Sequence, residues 1–99
     1  MSSVIRRVMV QGRVQGVGYR AWVEYQARRL GLNGWVRNRR DGSVEAVFEG
    51  DASVVASMVA SCRQGPGSAR VDDVAEEEAN ADKLGQRRAD KGFLVLPTI

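Results

Sequence analysis

Apolar and polar positions recur along this chain with two different periods, and the changes of period divide it into elements. Val4, Val8 and Val10, with arginines between them, predict a strand over 4–11. From Tyr19 or Arg20 to Leu30 the spacing becomes helical. Trp22, Val23, Ala27 and Leu30 mark one face, and Gly31 follows as a cap candidate. Residues 34–39 read as a short second strand, and Arg40-Asp41-Gly42 supplies a hairpin turn. Residues 43–49 then alternate Val44, Ala46 and Phe48 against Ser43, Glu45 and Glu49. Asp51 or Ser53 caps a second helix, whose apolar stripe runs through Val54, Val55, Met58, Val59 and Cys62. Gly65-Pro66-Gly67 ends it. Residues 69–78 predict a fourth strand marked by Val71 and Val74, 79–91 an exposed polar loop, and 93–96 a short last strand before Pro97.

This order predicts an α+β fold: a ferredoxin-like β-α-β-β-α-β sandwich. Its sheet is mixed and mostly antiparallel, with two helices on one face and an extra C-terminal strand. Residues 1–99 suit one domain, without room for a second core. A right-handed crossover makes the first two strands parallel, with the third running antiparallel between them. Their carboxyl ends then share one edge of the sheet, roughly 10 Å apart at two strand spacings.

The run Gly12-Arg-Val-Gln-Gly-Val-Gly-Tyr-Arg20 leaves the first strand at that edge. Its glycines, Gly12, Gly16 and Gly18, permit positive φ and let successive N–H groups turn inward. Inward amides at the positive end of a helix dipole form an anion site. Arg20 falls in the first helical turn, where a cation opposes the dipole unless an anion is bound. The guest this points to is a phosphate. Asn38 ends the second strand on the same edge, so two distant segments converge on one pocket.

Composition changes the picture little. The chain is 43% hydrophobic and 27% charged, ordinary for a globular protein. No window approaches a membrane span, no signal-like apolar block opens it, and Cys62 is its single cysteine. These point to the cytoplasm and, by default, to a monomer. Charge is more informative. Residues 1–40 hold nine arginines and one acid, and 41–99 hold eleven acids and six bases. A basic half suits nucleic acid, or focuses a small anion onto one edge.

The segments Gly12–Arg20, Gly31-Leu-Asn-Gly-Trp-Val-Arg-Asn38 and Asp41-Gly-Ser-Val-Glu45 together resemble the acylphosphatase family. The resemblance implies hydrolysis of a carboxyl-phosphate anhydride to a carboxylate and inorganic phosphate, without metal or cofactor. It implies that the amides around Gln15, Gly16, Val17, Gly18 and Tyr19, with the Arg20 guanidinium, hold the phosphoryl group. Asn38 would hold the attacking water. The chain departs at Gly18-Tyr19, where many members carry two aromatics, and at Arg39, where vertebrate members have a small hydroxyl residue. The 79–91 loop is longer than common, and the ending Leu-Pro-Thr-Ile lacks a terminal aromatic. Those last two bear on stability more than on chemistry.

Residue chemistry agrees with this reading. The chain has no histidine, which removes the commonest general base. Cys62 lies on an apolar stripe and reads as a structural thiol. Strand alternation splits Asp72-Asp73 and Glu76-Glu77-Glu78 between two faces, a poor metal cage. Tyr19, Trp22 and Trp35 read as packing residues. Gly16-Val-Gly-Tyr-Arg-Ala21 matches a dinucleotide fingerprint formally, but the chain lacks the strands and helices of a doubly wound sheet. A P-loop is excluded because no Gly-Lys-Ser/Thr follows. The main rival is an RNA-binding module of the same topology, with pI near 9.6. Such modules stack bases on aromatics of strands one and three; here strand one has none and strand three only Phe48. A noncatalytic domain of the same family is the third reading.

Overall fold

The computed structural model describes residues 2–85 and 92–99. Eight elements follow in order: β1 Ser3–Arg13, α1 Tyr19–Arg29, β2 Asn33–Asn38, β3 Val44–Asp51, α2 Ala52–Gln64, β4 Arg70–Glu78, α3 Ala81–Leu84 and β5 Phe93–Val95. The sheet order is β4-β1-β3-β2-β5, antiparallel throughout except for the β2–β5 pair. β1 and β2 both run against β3 and are therefore parallel to each other. Their carboxyl ends share an edge, as the element order requires.

Period 2 in the strands and 3.6 in the helices produce one core. Val8 and Val10 of β1, Val44, Ala46 and Phe48 of β3, and Val36 of β2 face Val23 and Ala27 of α1 and Val55, Met58, Val59 and Cys62 of α2. Phe48 stacks on Phe93 at 5.6 Å between ring centres. Each fully buried valine, methionine or phenylalanine among them contributes about 1.5–3 kcal/mol. α1 stops in a Schellman motif: Gly31, at φ 71°, and Leu32 donate to Arg28 and Ala27 carbonyls. For α2 the cap is Asp51, whose carboxylate accepts from the Ser53 amide.

The other sheet face departs from simple alternation. Ser43 and Glu45 are fully buried, although their positions read as the polar side of β3. Glu45 sits under Arg7, Arg37 and Arg39, at 2.6, 2.8 and 2.9 Å. Arg7 reaches on to Glu77. Burial would raise the Glu45 carboxyl, but the arginine bonds outweigh it and hold it below the usual carboxylate range. Further along this face Trp35, Val47 and Leu84 form a second apolar cluster. It exists because part of the expected 79–91 loop is the helix α3, docked by Leu84 and by a bond from Trp35 Nε1 to the Lys83 carbonyl. Residues 86–91 of that expected loop lie outside the described residues.

Two substitutions test this packing. A Cβ at Gly34, where φ is 138°, would stand 1.8 Å from the Val47 carbonyl oxygen. Gly34→Ala is therefore expected to cost about 3 kcal/mol or more in urea unfolding. Glu45→Gln leaves three guanidinium groups without their shared anion and is expected to cost about 3–5 kcal/mol. The Glu45 contribution is whole above its ordinary value of 4.5 and drains away as pH falls through the lower folded-state value. The stability difference between wild type and Glu45→Gln should accordingly shrink on acidification, as read by unfolding at a series of pH values.

Candidate active site

Between β1 and α1 the chain must turn from a strand edge into a helix that returns across the sheet. Gly16 and Gly18 make the turn at φ 75° and 84°, and a Cβ on either would meet nothing within 4 Å. Torsion, not crowding, demands glycine at both positions. Gly12 serves a different purpose from the loop role its place in the run suggests. It lies inside β1 at a register slip against β4, where a Cβ would stand 2.2 Å from the Arg70 carbonyl oxygen. Its task is close approach of two strands.

Gly18 is the N-cap of α1, and neither a capping side chain nor an acid in the first turn serves that end. Among the described residues, no carbonyl or side chain accepts from the amides of residues 16–20. A helix leaves its first N–H groups without intrahelical partners, and here no protein acceptor replaces them. They sit beside a cavity of about 170 Å³ lined by Gly16, Gly18, Tyr19, Arg20 and Asn38, with Val14 and Ala21 as its apolar wall. Asn38 enters from β2, and its Oδ1 is buried without a hydrogen-bond partner among the described residues. Leaving a buried acceptor unmatched costs about 1–3 kcal/mol. A ligand or water in the cavity would recover that cost.

The electrostatics favour an anion. Four of the nine arginines of the basic first half are paired with acids of the second: Arg6 with Glu76 and Glu78, Arg7 with Glu45 and Glu77, Arg37 and Arg39 with Glu45. Among the described residues of that half Arg13, Arg20, Arg29 and Arg40 pair with no carboxylate. Arg29 ends α1 and bonds Gln26, while the other three lie at the end of β1, at the start of α1 and just past β2, so positive charge gathers near the cavity.

Of the residues expected in the site, Gly16, Gly18, Tyr19, Arg20 and Asn38 line the cavity, while Gln15 and Val17 do not. The Gln15 side chain turns away and donates to the Arg39 and Ser43 carbonyls at 2.7 and 2.8 Å. It straps the loop to the β2–β3 turn. Tyr19 is a packing residue as expected, its hydroxyl donating to the Cys62 carbonyl at 2.8 Å. Burial pushes that hydroxyl far above its ordinary value, and burial pushes the Cys62 thiol up to about 12. Neither exchanges a proton near neutrality. Arg39 turns to the opposite face and pairs with Glu45.

The remaining contacts were invisible in the sequence. Ser68 Oγ donates to the Val17 carbonyl at 2.7 Å. Ile99 bonds β2's end, donating to the Asn38 carbonyl and accepting from the Arg40 amide. Ile99 therefore braces the strand end that carries Asn38. No short-range pattern signals either contact.

The acylphosphatase family model matches residues 6–90. The chain belongs to the acylphosphatase family. An acylphosphatase of Bradyrhizobium diazoefficiens is 66% identical over 99 residues, and one of Rhodopseudomonas palustris 60%, each match covering 100% of both chains. The crystal structure of acylphosphatase from Bacillus subtilis matches with a TM-score of 0.82 at 33% identity, covering 94% of this chain and 98% of that one. The acylphosphatase resemblance of the glycine run and the ferredoxin-like architecture are thus both confirmed. Gly18→Ala is expected to destabilise by about 1–2 kcal/mol, the cost of αL backbone for a residue with a Cβ, because space itself is open. Thermal unfolding reads it.

Proposed function

We propose that the loop amides of Gly16–Tyr19 and the Arg20 guanidinium hold the phosphoryl group of an acyl phosphate while Asn38 holds the attacking water. Hydrolysis of acyl phosphates is the family's reaction and this chain's. The observation that carries the assignment of roles is the buried, unpartnered Asn38 Oδ1 in one cavity with Arg20 and the unpaired end of α1.

In the reaction, the water oxygen forms a bond to phosphorus and the bond from phosphorus to the acyl oxygen breaks. Its electron pair leaves on a carboxylate, which is stable unprotonated, so no general acid is needed. What remains is to place the water in line and to stabilise charge on the equatorial oxygens. Fixed amides and a fork-shaped guanidinium supply the second. The Asn38 carboxamide accepts from the water and orients it, but cannot take its proton. The proton passes to an oxygen of the substrate's own phosphoryl group, and the products are a carboxylate and dihydrogen phosphate. The cavity has ample room for an ordered water, which needs about 10–15 Å³.

The RNA-binding alternative draws less support. Such modules expose aromatics on the helix-free sheet face. That face here carries the Arg7–Glu45–Arg37 cluster and a Trp35 covered by α3. No helix among the described residues is long and apolar enough to cross a membrane. With one buried thiol, we read the chain as a cytoplasmic monomer of one domain over 1–99, working without metal or cofactor.

Benzoyl phosphate mixed with the protein in chelator is expected to lose its acyl phosphate rapidly, and Arg20→Ala and Asn38→Ala to be folded and at least about 100-fold slower. Wild-type turnover that persists in both variants would overturn the roles. Because the cavity lining holds no histidine, carboxyl or thiol side chain, kcat is expected to be flat between roughly pH 5 and 8. A bell-shaped profile in that window would show a titrating side chain at work.

A further inference from the structure

We infer that Ser68 is a positioning residue: its hydroxyl holds the Val17–Gly18 peptide so that the Gly18 amide faces the bound phosphoryl group. The inference rests on the reading of the cavity as the phosphoryl site, and adds to it a residue from the far half of the chain.

The loop between β1 and α1 has few anchors. At its start the Gln15 side chain straps it to the β2–β3 turn, and at its end the Gly18 carbonyl accepts from the Trp22 amide. Between them lie Gly16 and Gly18, each with open space around the position a Cβ would take. A peptide plane beside a glycine rotates at little cost, so nothing in the local sequence decides which way the 17–18 plane faces. Ser68 decides it. Its Oγ donates to the Val17 carbonyl at 2.7 Å from a position 51 residues away.

The consequence follows from peptide geometry. The described chain contains no cis peptide, and in a trans peptide the C=O and the following N–H point in opposite directions. Val17 and Ser68 lie outside the cavity lining, whereas Gly18 is part of it. Fixing the Val17 carbonyl outward therefore turns the Gly18 N–H inward. The opposite orientation would aim a carbonyl dipole at the phosphoryl oxygens.

Ser68 can act as an anchor because its own loop is held. Gly65, at φ 70°, ends α2 with its amide on the Ser61 carbonyl, and the Ala69 amide closes a turn on the Pro66 carbonyl at 3.0 Å. Ala69 and Val71 pack against the core. Next to it, Arg70 lies so close to Gly12 that no Cβ fits between the strands. The Gly-Pro-Gly-Ser segment is thus a fixed post, and its serine makes the one side-chain hydrogen bond from it to the loop among the described residues.

The test compares Ser68→Ala and Ser68→Thr with wild type, using benzoyl phosphate turnover and inhibition by inorganic phosphate. The Gly18 amide contacts phosphoryl oxygens in the bound substrate as well as in the transition state, so its loss is a loss of uniform binding. Ser68→Ala is expected to raise KM and the phosphate inhibition constant together by about two- to tenfold, with kcat little changed. Ser68→Thr, which keeps the hydroxyl, is expected to restore both. Unchanged KM and inhibition constant in a folded Ser68→Ala, or a Thr variant as impaired as the Ala variant, would overturn the inference. A second measurement needs no variant: titrating inorganic phosphate into the wild type should shift the Gly18 amide resonance, and an unmoved Gly18 amide overturns the inference. Wild type inactive on benzoyl phosphate, or active after Arg20→Ala, would instead indict the site itself.

Discussion

Among the described residues the first amides of α1 have no protein partner, and the edge of the molecule that holds the cavity is organised around that deficit. Ser, Thr, Asp or Asn at an N-cap would satisfy one of those donors. Gly18 satisfies none, and α1 has no acid in its first turn. On the facing strand, Asn38 Oδ1 is an acceptor buried without a donor. Donors and acceptor cannot satisfy each other across the cavity, so both await a third party that accepts on one side and donates on the other. An acyl phosphate with its attacking water has that character.

Holding such an unsatisfied arrangement open requires rigidity from outside it. The loop is tied to the β2–β3 turn through Gln15 and to the α2–β4 segment through Ser68. The end of β2 is tied to Ile99. Behind it, Arg37 and Arg39 flank Asn38 in sequence but point to the opposite face, where Glu45 gathers them. Because side chains alternate along a strand, one short segment faces the site at position 38 and the supporting ion cluster at 37 and 39. A buried carboxylate that joins three arginines costs desolvation to assemble, and its return is a strand end with little freedom to shift.

The charge pattern shows how folding edits a sequence property. Read linearly, the first forty residues form a basic block that would suit a polyanion. In the sheet, β1 lies between β3 and β4, and their acids neutralise Arg6 and Arg7. Beside the cavity, Arg13, Arg20 and Arg40 keep their charge unpaired among the described residues.

Local pattern was sufficient for the element order, the helix stripes, the hairpin at Asp41-Gly42 and the glycines at 16 and 18, because each depends on torsion or on spacing within a few residues. The placement of Arg20 and Asn38 beside one cavity was legible for a related reason: each stands at a fixed offset from the end of an element, and the topology brings those ends to one edge. The sequence alone did not determine which polar residues are buried, since Glu45 and Ser43 look solvated until β1 and β2 bring arginines and the turn over them. Nor did it determine that Gly12 belongs to a strand–strand approach, that α3 covers Trp35, or that Ser68 holds the β1–α1 loop and Ile99 the end of β2. Those are contacts between segments far apart in the chain, and only the packed sheet decides which of them meet.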